Sequence, residues 1–136
     1  MKTLPLVLLA ACLVTGAFMT LPVPAALAAD SSGSSRVLRH VVLFKFKDGT
    51  SDKQISEVVD AFRALKAKIN VIQDFEYGTD VSVENRAQGF THCFFVTFAD
   101  EKGRDAYLPH PAHKAFGALV GPHLDKVLVV DYWVTK

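Results

Sequence analysis

Along residues 37–47 the chain is dense in β-branched and aromatic side chains. Alternation puts His40, Val42, Phe44 and Phe46 on one side and Val41, Leu43, Lys45 and Lys47 on the other. This pattern predicts a strand, ended by Asp48-Gly49. Ser51-Asp52-Lys53-Gln54 then has capping-box form. Behind it Ile55, Val58, Val59, Phe62, Leu65 and Ile69 recur at three- and four-residue steps. That spacing predicts an amphipathic helix of about five turns. Asp52 near its start and Lys66 and Lys68 near its end suit the helix dipole. Residues 72–81 predict a second strand, 83–89 a polar connection and 90–98 a third strand. Residues 99–108 and 112–120 read as helical pieces split by Pro109-His110-Pro111. Gly121-Pro122 stops the second piece, and residues 126–134 form the last strand.

The order β-α-β-β-α-β predicts an α+β domain of ferredoxin-like topology, with an antiparallel sheet and its helices on one side. In the third strand His92, Phe94, Val96 and Phe98 share one face, while Cys93 and Phe95 sit with threonines on the other. Both faces carry apolar bulk, so both need cover. The helices supply one cover, and the other is expected from a second copy of the chain, making a homodimer.

Before the first strand the pattern is different. After Lys2 an uncharged apolar run covers residues 4–27, long enough to be mistaken for a membrane span. Pro5, Gly16, Pro22 and Pro24 interrupt it, and Ala26-Leu27-Ala28 has the A-x-A form read by signal peptidase. The expectation is a signal peptide over residues 1–28, cleaved after Ala28 or Ala29, with export to the periplasm or beyond. Leu9-Ala10-Ala11-Cys12 is the competing signal, a lipobox that would leave a lipidated Cys12. The apolar stretch before Cys12 is short and the chain stays apolar after it, so no stable membrane anchor is expected. Residues 29–36, polar and rich in Ser and Gly, read as a flexible leader, and residues 37–136 as the domain.

The 136 residues leave room for one core. The whole chain carries 15 Lys and Arg against 14 Asp and Glu, and loss of Lys2 with the signal brings the two into balance. A balanced surface offers no field for phosphate backbones, which argues against nucleic acid. Cys93 is the one cysteine left after cleavage, so no intramolecular disulfide can form. Mid-strand and buried, its thiol is expected to be inert.

Five histidines, His40, His92, His110, His113 and His123, all fall in the predicted domain. A strand histidine is often a hydrogen-bonded structural residue, but two coincidences point to chemistry. His40 and His92 lie on the apolar strand faces that carry Val42, Phe44, Phe94 and Val96, so both are expected to reach one cavity between sheet and helices. His113 falls in the first turn of a helix starting near Pro111, where the dipole disfavours a charged imidazole. A neutral ring there can accept a proton. Tyr107, six residues earlier, can turn its phenol toward the same space, and such a pair can stabilise an enolate and take a proton from carbon. His110 and His113 are three apart, yet no close carboxylate or second cysteine completes a ligand set, so no metal is expected.

The segments His40-Val41-Val42-Leu43-Phe44-Lys45, Gly89-Phe90-Thr91-His92, Tyr107-Leu108-Pro109-His110-Pro111-Ala112-His113 and Asp131-Tyr132 together have a known likeness. In order and spacing the chain resembles the stress-responsive A/B-barrel (Dabb) family over residues 37–133. The resemblance implies a dimeric α+β barrel. It also implies, from a plant polyketide cyclase of that family, an intramolecular aldol condensation by a tyrosine and a histidine without metal or organic cofactor. Tyr107 and His113 match that pair, and His40 and His92 match its supporting histidines. The pocket would be lined by Val42, Phe44, Val58, Val59, Phe62, Phe94 and Val96, with His110 beside it. The expectation is therefore an exported dimer that binds a small apolar or aromatic ligand in a His/Tyr-lined pocket. One alternative is a cyclase or lyase using Tyr107 and His113; another is a stress-related dimer with structural histidines and no ligand.

Overall fold

A computed structural model describes residues 36–134. The predicted signal segment and the leader up to residue 35 lie outside the described residues, as do residues 135 and 136. The elements run β1 (Leu38–Phe46), α1 (Asp52–Arg63), α2 (Leu65–Lys68), β2 (Asp74–Thr79), β3 (His92–Phe98), α3 (Glu101–Tyr107) and α4 (Pro111–Val120), then a 3₁₀ turn (Gly121–His123) and β4 (Leu124–Trp133). The strands form one antiparallel sheet in the order β2-β3-β1-β4. This is the expected ferredoxin-like α+β arrangement.

Local chemistry sets the boundaries. Ser51 accepts from the Gln54 N–H while the Gln54 side chain reaches back to the Ser51 N–H, so the capping box is complete. The predicted five-turn helix is divided at Ala64, whose N–H is shared between the carbonyls of Asp60 and Phe62 as the chain tightens. The apolar stripe nevertheless runs through the break, and Val58, Phe62, Leu65 and Ile69 are all buried. Asp100 caps α3 through the Gly103 N–H, and His110 caps α4 with Pro111 at the first helical position. In the connection from β2 to β3, Asn85, Gln88 and Gly89 take the left-handed conformation. Gly89, at φ +83°, takes it without steric cost, and a β-carbon there would meet only the movable end of the Lys45 side chain.

Register decides which residues share a face. His40 pairs with Val96 and Asp131, Val42 with Phe94 and Val129, and Phe44 with His92 and Val127, all on the helix side. There Phe62 stacks between Phe116 and Phe94, at ring-centroid distances of 4.5 and 4.7 Å, and anchors the core. The opposite face places Val41 with Phe95 and Val130, and Leu43 with Cys93 and Leu128. Leu128, Val130 and Tyr132 are exposed there, at 41 to 48 % of their surface, and no helix among the described residues covers them.

Candidate active site at the corner between two helices

The site is built where the end of α3, the start of α4 and the strands β1 and β4 meet. Pro109 and Pro111 force a corner between the two helices. This leaves Tyr107 as the last residue of α3 and His113 in the first turn of α4. Their rings touch, with centroids 4.2 Å apart. Tyr107 also meets the edge of His40 and packs on Phe98. Beside them lies a cavity of about 370 Å³, walled by His40, Val42, Phe44, Phe62, Tyr107 and His113, that opens past Leu108, Val127 and Val129. Its walls are mostly apolar, with polar groups converging at one end, as small-molecule sites are built.

Each polar group there has a defined state. Tyr107 is 0 % exposed, and its hydroxyl has no hydrogen-bond partner among the described residues. Burial pushes the phenol well above its ordinary range, so it keeps its proton and acts as a donor. His113 Nδ1 lies 2.9 Å from the Leu108 carbonyl, which only accepts, so this nitrogen carries a proton and Nε2 is the ring's remaining nitrogen. His40 Nδ1 lies 2.7 Å from Asp131 Oδ1, and Asp131 Oδ2 takes a hydrogen bond of 3.1 Å from Arg104 Nη1. This chain of contacts orients His40 from behind.

Of the predicted site residues, His40, Val42, Phe44, Phe62, Tyr107 and His113 are brought together at this cavity. The others are not. His92 lies four residues along β3 from the partner of His40, about 13 Å away at strand rise. Sharing a face does not mean sharing a cavity. It packs instead on Phe46, bonds Thr91 and lines a hollow with Val59 against α1. Val58, Phe94 and Val96 are wholly buried, filling the interior where α1 covers β3 rather than lining the cavity. His110 accepts the Ala112 N–H through Nδ1, so it serves as the cap of α4. Among the described residues no three His, Cys, Asp or Glu side chains come together in a metal-ligating group. A larger hollow of about 580 Å³ lies at the β2–β3 end of the sheet, lined by Leu43, Phe90, His92, Cys93 and Phe95. Burial raises the Cys93 thiol and lowers the His92 imidazole, so both stay neutral there.

The lowered His92 has a consequence for stability. Its folded value lies below the ordinary 6.5, so as pH falls through 6.5 the unfolded chain takes up this proton first. The contribution is intact above that pH and is lost as pH falls toward the folded value. The loss of stability between about pH 7.5 and about pH 5.5 is expected to be smaller in His92→Phe than in the parent, read by urea titration. Equal losses in the two proteins would show that His92 is not the group responsible.

The profile of the Stress responsive A/B Barrel Domain, Dabb, matches residues 38–134. This chain belongs to the Dabb family. Over 99 residues, 73 % of this chain and 91 % of the relative, it is 42 % identical to the stress-response A/B barrel domain-containing protein HS1 of Arabidopsis thaliana. It is 33 % identical over 99 residues to olivetolic acid cyclase of Cannabis sativa, covering 73 % of this chain and 98 % of the relative. A dimeric ferredoxin-like protein of unknown function from Thermobifida fusca superposes with a TM-score of 0.64 at 26 % identity, covering 74 % of this chain and 93 % of that one. Two residues of the candidate site, Asp131 and Arg104, are not foreseen from the sequence as part of its chemistry. Asp131 had a visible signal, a single acid in the middle of the apolar run Val127-Leu128-Val129-Val130-Asp131-Tyr132-Trp133 on the cavity-facing side. Arg104 had none, because its role appears only when folding brings its guanidinium within 3.1 Å of Asp131 Oδ2.

Proposed function

We propose that this Dabb domain acts on a small, largely apolar molecule that carries an enolisable carbonyl, as a cofactor-independent cyclase or lyase. One observation carries the reading: Tyr107, whose buried hydroxyl has no hydrogen-bond partner among the described residues, packs its ring on that of His113 in the wall of an apolar cavity. Unpaired buried groups are rare in native folds, and a catalytic role is one of the reasons they persist. In the proposed reaction the Tyr107 hydroxyl donates to the carbonyl oxygen. His113 Nε2 takes a proton from the adjacent carbon, the C–H electron pair becomes the C=C bond of an enolate, and the carbonyl π pair moves to the oxygen. The Leu108 carbonyl, already bonded to Nδ1–H, stabilises the imidazolium that forms. The enolate then attacks a second carbonyl of the same molecule, and the proton returns from His113 to the new alkoxide. The likeness to olivetolic acid cyclase supports this chemistry; the substrate class is argued from the cavity. Benzoylacetone in deuterated water supplies the test. The protein should accelerate exchange of its α-protons, and exchange at the buffer rate would leave only ligand binding.

The working unit in this proposal is a homodimer joined through the outer face of the sheet. The exposed Leu128, Val130 and Tyr132 beside Leu43 and Phe95, and the dimeric Thermobifida relative, support it. Val130→Glu would bury a carboxylate at that joint. It is expected to run as a monomer in sedimentation at micromolar concentration where the parent runs as a dimer. A parent that is itself monomeric would remove the joint. We also propose export after cleavage of residues 1–28, supported by the A-x-A ending of the apolar segment. N-terminal sequencing from envelope and medium should find a chain starting at Ala29 or Asp30; a start at Cys12 or an intact N-terminus would reject it.

A further inference from the structure

We propose that Arg104 is a positioning residue for this site: by holding Asp131 Oδ2 it fixes the carboxylate that locks the His40 ring in one tautomer and orientation beside Tyr107. The inference adds a residue to the function proposed above, and its catalytic meaning rests on that reading. The coupling itself rests on geometry alone.

Asp131 lies on the cavity-facing side of β4 with its side chain 28 % exposed, next to the wider, solvent-exposed stretch of that strand. A carboxylate so placed is free to turn about its last torsion unless its oxygens are held. Here each oxygen has its own partner: Oδ1 meets His40 Nδ1 at 2.7 Å and Oδ2 meets Arg104 Nη1 at 3.1 Å. The guanidinium is itself fixed, since Nε and Nη2 both donate to Asp105 Oδ1 at 3.1 and 3.0 Å. Arg104 is therefore a rigid fork with one tine left for Asp131, and its charge is permanent. The acceptor at Nδ1 decides which ring nitrogen bears the proton, so Nε2 becomes the nitrogen that His40 presents to an occupant of the cavity. The same contact sets the edge-on approach of His40 to Tyr107, at 5.8 Å between centroids and 68° between planes. Nothing in this chain of contacts passes through the outer face of the sheet, so it does not depend on dimer formation.

Long-range ¹H–¹⁵N NMR of the histidine rings tests the coupling without any substrate. The His40 signals, assigned by their absence in His40→Gln, should show one tautomer with a slowly exchanging Nδ1 proton in the parent. In Arg104→Met, which keeps the aliphatic stem and a good helix former, that proton resonance should be lost and the ring nitrogens should move to mixed-tautomer positions. Asp131→Ala gives the reference for complete loss. Arg104→Lys, which keeps a cationic donor, should restore the resonance. Arg104→Gln serves as a second neutral variant should the methionine protein not fold. A His40 resonance that persists unchanged in either folded neutral variant would reduce Arg104 to a surface brace and overturn the proposal. A protein that passes these tests but never exchanges the benzoylacetone protons keeps the tautomer lock and loses only the catalytic reading.

Discussion

Phe62→Ala is expected to cost about 3–5 kcal/mol of folding stability, close to half of what a domain of this size commonly has. The side chain is 1 % exposed and meets four other rings, Phe44, Phe75, Phe94 and Phe116. Truncation removes the transfer energy of the ring and strands the neighbours around a void. Because Phe44 and Phe94 are held in the two central strands and Phe116 in α4, those neighbours cannot close in without moving backbone. Urea unfolding should show the midpoint falling with the slope unchanged, so that the loss belongs to the native packing rather than to the denatured chain. A loss below about 1 kcal/mol would mean that the stack collapses freely and that Phe62 is not its keystone. Phe62 also walls the cavity, so the same variant should widen the site and weaken its grip on an apolar probe.

That double duty explains which parts of the molecule were legible in the sequence. The elements were, because each carries its own period and its own punctuation. The capping box at Ser51, the Pro-His-Pro corner and the Gly-Pro stop all act within four residues of where they are written. The faces of the strands were legible too, since alternation alone assigns them. Depth along a strand was not. His40 and His92 have the same parity, but one pairs with Val96 and the other with Phe44, so the α3–α4 corner comes to lie over His40 and α1 over His92. Whether an apolar residue fills a core or lines a cavity was equally hidden. Phe62 does both, Phe94 only the first, and nothing in their neighbours along the chain distinguishes them. Contacts between elements far apart in sequence were out of reach for the same reason. The pairing of His40 with Asp131 spans ninety-one positions, and period and spacing carry no information over such a distance.

Tyr107→Phe is expected to move stability and function in opposite directions. The hydroxyl is buried, and among the described residues nothing accepts or donates to it. A buried polar group in that condition costs the fold about 1–3 kcal/mol, so deleting one oxygen while keeping the ring should raise stability by an amount in that range. Ring contacts with His113, Phe98 and His40 are unaffected, because phenylalanine fills the same volume. Exchange of benzoylacetone protons should meanwhile fall by about 10²–10⁴-fold, the usual worth of a placed proton donor. His113→Ala should cause a loss of similar size without the gain in stability, because Nε2 is gone but no unpaired group has been relieved. The two readouts separate the possible roles. If the hydroxyl served only the fold, through a partner acquired on dimerisation, Tyr107→Phe would destabilise and leave exchange alone. Higher stability with exchange intact would show that the orphaned phenol is idle. Only higher stability together with lost exchange fits a group held ready, at a cost to the fold, for a molecule that is not part of it.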